Sequence, residues 1–236
     1  MRIKIDNIER FCEEPEIFND VLSLDNKHIM ELGCGRADLT RVIASNGSGR
    51  KITAYEIDHI QYGKNLEIRD LPNVNFKHGA AESIAEDDNS VDVVFMFKSL
   101  HHVPTDAMGT AFSEIHRVLN EDGMLYISEP IFAGEFNEII RLFHNEEAVR
   151  QAAFEAEKDV VASGDFILQK QIFFNAPMHF PNFEAFENKV LGATHTDFNL
   201  TDEVFEQVKE KFLQHMGPDG VHFQMPIRVD LLEVIK

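Results

Sequence analysis

The sequence predicts a doubly wound α/β fold built on a mostly parallel sheet, and three observations carry that prediction. Short apolar runs alternate with amphipathic stretches through the first 130 residues. The runs are continuously apolar, as strands covered on both faces require. A Gly-x-Gly loop, Gly33-Cys34-Gly35, joins the first run to the first amphipathic stretch.

The predicted strands are His28–Leu32, Lys51–Ile57, Val74–His78, Val91–Phe97 and Met124–Ser128, each bounded by Gly, Asp, Asn or Pro. Between them, Ala37–Ser45, Ile60–Arg69 and Asp106–Leu119 read as helices. The last places Met108, Ala111, Phe112, Ile115 and Leu119 on one face. Strand and helix in regular alternation give parallel neighbours joined by crossovers. An amphipathic segment carrying Phe11 and Phe18 precedes the first strand, suited either to packing on the sheet or to closing a lid over a bound ligand.

After Glu129-Pro130 the texture changes. Residues 134–162 read as one long or two broken helices, Phe166–Phe174 as a strand, and Asn182–Leu191 and Thr201–Met216 as helices. Thr201 followed by Asp202 and Glu203 is an N-cap with acids that suit the helix dipole. Gln224–Ile235 reads as a closing strand, which brings the sheet to seven. The expected division is a core over 1–130, a helical, Phe-rich cap over 131–220 inserted after strand five, and a closing strand of the core over 221–236. Of the 20 phenylalanines, 14 lie beyond residue 130. They suit either an apolar pocket wall or a second core.

Composition bounds the function. A chain of 236 residues fits one large α/β domain or a core with an appendage. No stretch approaches the roughly 18 apolar residues of a membrane span, and the N-terminus alternates charged and apolar residues too often for a signal peptide. Cys12 and Cys34 form neither a disulfide framework nor a zinc pattern, so a reducing, cytoplasmic setting is expected. A net charge of −19, with 22 basic against 41 acidic residues, disfavours a phosphate-backbone partner such as DNA or RNA.

The loop carries the chemistry. Glycine there lets the chain turn sharply and approach a ligand closely. A dinucleotide would lay its pyrophosphate over the loop, where Glu31, two residues before Gly33, would repel it. A ligand bringing cations suits that carboxylate better, and S-adenosylmethionine brings an ammonium and a sulfonium. Glu56, ending the second strand 23 positions after Gly33, is placed to accept ribose hydroxyls of an adenosine. Its rival Asp58 reads better as the N-cap of the next helix.

With these residues in view, 28–130 resembles the Rossmann-like class I methyltransferases, in particular the group that includes quinone-biosynthesis and other small-molecule enzymes. The resemblance rests on four motifs in order. Ile29–Gly35 carries apolar-apolar-acid-apolar-Gly-x-Gly. Gly79-Ala80-Ala81-Glu82-Ser83-Ile84, followed by Asn89–Val94, resembles the segment that holds adenine and enters strand four. Phe97-Lys98-Ser99-Leu100-His101-His102-Val103 resembles the loop beside the methionine end, and Glu114–Gly123 the helix and turn before strand five. The resemblance implies S-adenosyl-L-methionine as cofactor, held by Glu31, Gly33, Cys34, Gly35, Glu56, Ile57, Ala80, Ala81, Glu82, Phe97 and Lys98. Cys34 enters as a small filler, not a nucleophile. The implied activity is methyl transfer to a small or medium-sized acceptor through an O, N, S or C centre. Three positions depart from the family pattern: Ala37 replaces a third glycine, Ala80 a common acid, and Asn120–Gly123 a Lys-Pro-Gly-Gly turn.

Methyl transfer needs a base only when the nucleophile arrives protonated. His102 and His101 are the candidates for that role, and Glu129 for orienting an acceptor. His144, His179, His195, His215 and His222 show no metal-ligand spacing, and no metal is expected. Alternative readings are a cofactor-binding regulator or partner subunit with this fold, and a protein or RNA methyltransferase. The acceptor and the oligomeric state are not legible in the sequence.

Overall fold

Seven strands lie side by side at the centre of the computed structural model, which describes residues 1–192, 198 and 200–236. In chain order they are β1 (His28–Leu32), β2 (Lys51–Glu56), β3 (Val74–His78), β4 (Val91–Phe97), β5 (Leu119–Pro130), β6 (Phe166–Phe180) and β7 (Val221–Val234). In space they run β3-β2-β1-β4-β5-β7-β6. The strands β1 to β5 pair in parallel. β7 runs antiparallel to both β5 and β6.

Eight α-helices accompany the sheet among the described residues: α1 (Glu14–Val21), α2 (Asp38–Ser45), α3 (His59–Asn65), α4 (Met108–Val118), α5 (Glu135–Ile140), α6 (Glu147–Ser163), α7 (Phe183–Phe186) and α8 (Asp202–Leu213). Their starts follow the expected chemistry. The Asp58 side chain accepts from the amide of Ile60 at 2.8 Å and caps α3. Thr201 accepts from Val204 at 3.3 Å and caps α8. Residues 134–162 resolve into two helices, and Asn120–Gly123 interrupts the β4–β5 pairing between Leu119 and Met124.

Alternate residues of β4 fall into different cores, so the sheet is buried on both faces, as the continuous apolar runs require. Val94 and Met96 join Phe112 and Ile115 of α4 and Ala153 of α6. Val93, Phe95 and Phe97 join Ile17 and Phe18 of α1 and Ile43 of α2. Phe18, fully buried, meets the rings of Phe95, Phe97 and Tyr126 at 5.6, 6.0 and 6.4 Å. Burial of such a ring contributes about 1.5–3 kcal/mol, so Phe18 is a packing residue and not part of a lid. Phe11 stays largely exposed.

Within 131–220, β6 runs on past the expected Phe166–Phe174 to Phe180, pairs along the whole of β7 and forms an edge of the sheet. Phenylalanines from this region make a third core: Phe180, Phe186, Phe212 and Phe223 pack with Ile139, Val208 and Val221. A buried Arg228 on β7 ties that strand to α6. Its guanidinium donates to Glu157 of α6 at 2.6 Å and to Asp230 of β7 at 2.5 Å. Among the described residues, no helix is long and apolar enough to cross a membrane. His195, one of the histidines read from the sequence, lies outside the described residues.

Candidate active site

The C-terminal ends of β1, β2 and β4 open on a cleft of about 700 Å³, the place where open α/β sheets receive ligands. The loop after β1 forms its floor. The amides of Gly33 and Cys34 both donate to the carbonyl of Tyr55 on β2, at 3.0 and 2.9 Å. The two glycines serve different ends. A Cβ on Gly33, whose φ is +77°, would stand 2.7 Å from the Ser99 Cβ, and Ser99 itself bonds the Leu32 carbonyl at 2.7 Å. Gly33 is thus needed where the loops after β1 and β4 touch. A Cβ on Gly35, at φ +51°, would meet nothing within 4 Å and would enter open space. Ala37 holds a left-handed φ of 63° at the position where the family pattern has glycine, a conformation that costs about 1–2 kcal/mol with a Cβ.

Glu31 lies under this loop, 2% exposed. Burial pushes its carboxyl up to about 8; the Thr40 hydroxyl, donating at 2.6 Å, and the charge of Lys98 oppose that rise. The expected anion beneath the glycine bend is therefore protonated near neutrality on its own, and a cation beside it would draw the proton off. Glu56, at the end of β2, accepts from Gly35 through Oε2 at 2.7 Å and from Asp58 through Oε1 at 2.8 Å. Cys34 is buried, within 3.5 Å of Asn65 Nδ2, and burial pushes its thiol up, so it is inert filler.

Gly79, Ala80, Ala81 and Glu82 after β3 and Ile57 after β2 also line the cleft. Phe97 ends β4, and Lys98, Ser99 and His102 follow it along the cleft. Lys98 adopts φ 56° while its amide donates to Ser128 at 2.7 Å. Its ammonium lies 3.6 Å from Glu14, a buried acid of α1 that also accepts from Tyr126 and Ser128 at 2.8 and 2.9 Å. All eleven residues expected to hold the cofactor line this one cleft.

The three residues expected to act on the acceptor separate. His102 is exposed and lines the cleft. His101 and Glu129 are buried, lie outside its lining, and bond to each other. Glu129 also accepts from the Leu100 amide at 3.0 Å, so both its oxygens are committed within the protein. It anchors the loop after β4 and does not face an acceptor. His101 reaches further to Glu146, 3.5 Å from its Nε2. Burial alone would lower the His101 pKa, but the two carboxylates outweigh it and raise it to about 9. Glu146 sits well below the usual carboxylate range: burial opposes this, but His101 and Arg150 prevail. One ligating atom from each of His101, His102 and Glu146 lies within 4.8 Å of the others, so these side chains could hold a metal.

The phenylalanines beyond residue 130 line none of this cleft among the described residues; that region contributes Asn188, Lys189 and Gly192 instead. Glu14, Ser99, Glu146 and Lys189 are the site residues that sequence reasoning missed. Ser99 lay inside a quoted motif and could have been found there. The other three come from distant segments with no local signature.

A family profile for the methyltransferase domain matches residues 29–123. Over 128 residues the chain is 25% identical to an uncharacterized methyltransferase of Bacillus thuringiensis, covering 54% of this chain and 58% of the relative. It is 33% identical over 103 residues to a demethylmenaquinone methyltransferase of Staphylococcus epidermidis, covering 42% of each. The chain thus spans 58% and 42% of the length of these two relatives. The structure of a putative methyltransferase from Bacillus halodurans superposes with a TM-score of 0.61 at 14% identity, covering 92% of this chain and 96% of that one. The motif order, the strand order and the cleft agree with the methyltransferase-domain match over residues 29–123, and the chain carries the Rossmann-like methyltransferase fold.

Proposed function

We propose that this chain binds S-adenosyl-L-methionine in the cleft and directs its methyl group onto a small or medium-sized acceptor through an O, N, S or C centre. The observation that carries this reading is Glu31, a carboxyl buried beneath the glycine loop that burial keeps near neutrality until a cation shares its surroundings. A pyrophosphate in the same place would oppose ionisation of Glu31, whereas an ammonium or sulfonium favours it. The open space at Gly35 fits the group as well, since a side chain there would fill it.

In this reading Glu31 and the Gly33–Gly35 backbone hold the methionine end, with Phe97 and Lys98 beside it. Glu56 accepts from the ribose, using lone pairs left over from its two backbone bonds. Ile57, Ala80, Ala81 and Glu82 flank the adenine. When bound, the cofactor supplies an electrophilic methyl on a sulfonium. What the protein adds is alignment and exclusion of water, which can account for most of the acceleration of an in-line transfer. His102, at the cleft wall, is the side chain assigned to the acceptor. The cap limits the acceptor through Asn188, Lys189 and Gly192, while its phenylalanines hold those residues in place from behind. An acidic surface makes a nucleic-acid acceptor the poorer fit.

Calorimetric titration with S-adenosylmethionine, its demethylated product and NAD tests the cofactor. Transfer of labelled methyl to a panel of hydroxyl, amine, thiol and carbon acceptors tests turnover. Capture of NAD alone would overturn the assignment, and binding without transfer to any acceptor would favour the regulator reading.

A further inference from the structure

A carboxylate oxygen and a buried imidazole nitrogen face each other across 3.5 Å behind His102, which itself lines the cleft: Oε1 of Glu146, at the start of α6, and Nε2 of His101. The other ring nitrogen, Nδ1, is bonded to Glu129. With Nδ1 held by Glu129, Nε2 is the ring atom that meets Glu146. Their 3.5 Å separation exceeds the roughly 2.7–3.2 Å of an ordinary N–H···O bond and leaves room for an ion between them. Two atoms each about 2.0–2.1 Å from a tetrahedral zinc ion stand about 3.3–3.4 Å apart, close to what is found.

The surroundings supply the rest of a site. His102 lies against His101 with ring centroids 4.1 Å apart, and the ligating atoms of His101, His102 and Glu146 fall within 4.8 Å of one another. Glu129 behind His101 completes the carboxylate–histidine arrangement that orients metal-bound imidazoles. Glu146 is steered from both ends, by His144 at 3.0 Å on Oε1 and by Arg150 at 2.5 Å on Oε2.

We propose that His101, His102 and Glu146 bind a divalent cation of the zinc class, with a fourth position left for water or an acceptor atom at the cleft that His102 lines. Two imidazoles and one carboxylate suit zinc, cobalt or nickel and poorly suit magnesium. With the ion in place, His102 serves the acceptor through the metal and not as a free base. Binding of the ion does not depend on methyl transfer; the part His102 would play toward an acceptor rests on the proposed function.

The test uses the full chain, stripped with a chelator and titrated with Zn²⁺ by calorimetry, with Co²⁺ followed by its visible bands and Mg²⁺ as a contrast. The expected result is one Zn²⁺ per chain, a tetrahedral Co²⁺ spectrum and no comparable response to Mg²⁺. His102→Ala, at an exposed position that leaves the core intact, should weaken Zn²⁺ binding by roughly tenfold or more, and Glu129→Gln by about 10–100-fold. The stacked pair His179 and His222, with Asp219 3.2 Å from His222, is a possible scavenger, so a His179→Ala/His222→Ala variant should bind as the parent does. Unchanged affinity in His102→Ala, loss of the ion in the His179/His222 variant, or no binding of Zn²⁺ would each overturn the site. In that case a proton alone bridges His101 and Glu146.

Discussion

The Oε2 of Glu56 accepts from the amide of Gly35 at 2.7 Å, so the acid ending β2 and the glycine loop after β1 form one unit. Glu56→Ala should therefore both remove an acceptor for ribose and release the loop. Cofactor affinity should fall by about 1–3 kcal/mol, or roughly 5–150-fold, read by calorimetry. Unchanged affinity would displace the adenosine from β2.

Glu31 gives affinity a pH slope. Its folded pKa of about 8 lies above the 4.5 of an unperturbed carboxyl. Below pH 8 a cationic ligand must first draw off the proton. Binding of S-adenosylmethionine should therefore tighten by up to about tenfold per pH unit from 6 to 8 and then level. Without ligand, the folded state retains a proton that the unfolded chain releases, so this group's contribution to stability declines as pH rises from 4.5 to 8. Glu31→Gln should abolish both slopes; a slope that persists would assign it to another group.

The two loop glycines should fail in different ways. Gly33→Ala meets the Ser99 Cβ at 2.7 Å and a positive φ, and should lose about 1–3 kcal/mol of stability in denaturant unfolding. Ser99→Gly should restore part of that loss. Gly35→Ala, with free space around its Cβ, should melt closer to the parent yet bind cofactor far more weakly.

Arg228 is buried against Glu157 and Asp230. Arg228→Ala would leave their carboxyl groups without a counter-ion and should destabilise the fold by about 3–5 kcal/mol. Adding Glu157→Gln should recover part of it. A negligible shift in the urea midpoint would mean that solvent reaches the cluster.

Much of the cofactor half was legible, because β1, β2 and β4 are buried on both faces and so write themselves as nearly unbroken apolar runs, while Gly33, Gly35 and Glu56 answer to local backbone geometry. What escaped was set by tertiary contact. β6 read as a shorter strand ending at Phe174 because Asn175 and Pro177 break the strand pattern there, although the backbone pairs on with β7 as far as Phe180. Glu129 read as a cleft acid because its motif position says nothing of the bonds to His101 and Leu100 that turn it inward. Glu146, some 45 residues beyond His101, meets it only once α6 packs beneath the loop after β4.

The reversed strand has a consequence for biosynthesis. β7 is wedged between β5 and β6 yet comes after both in the chain. On the ribosome β5 and β6 wait with naked edges, open to pairing with any passing strand, until the segment after Gly220 emerges. Nascent chains stalled before that point should be chaperone clients, whereas chains extended past Val234 should bury both edges and escape them, a difference that chaperone pull-down of stalled chains reads.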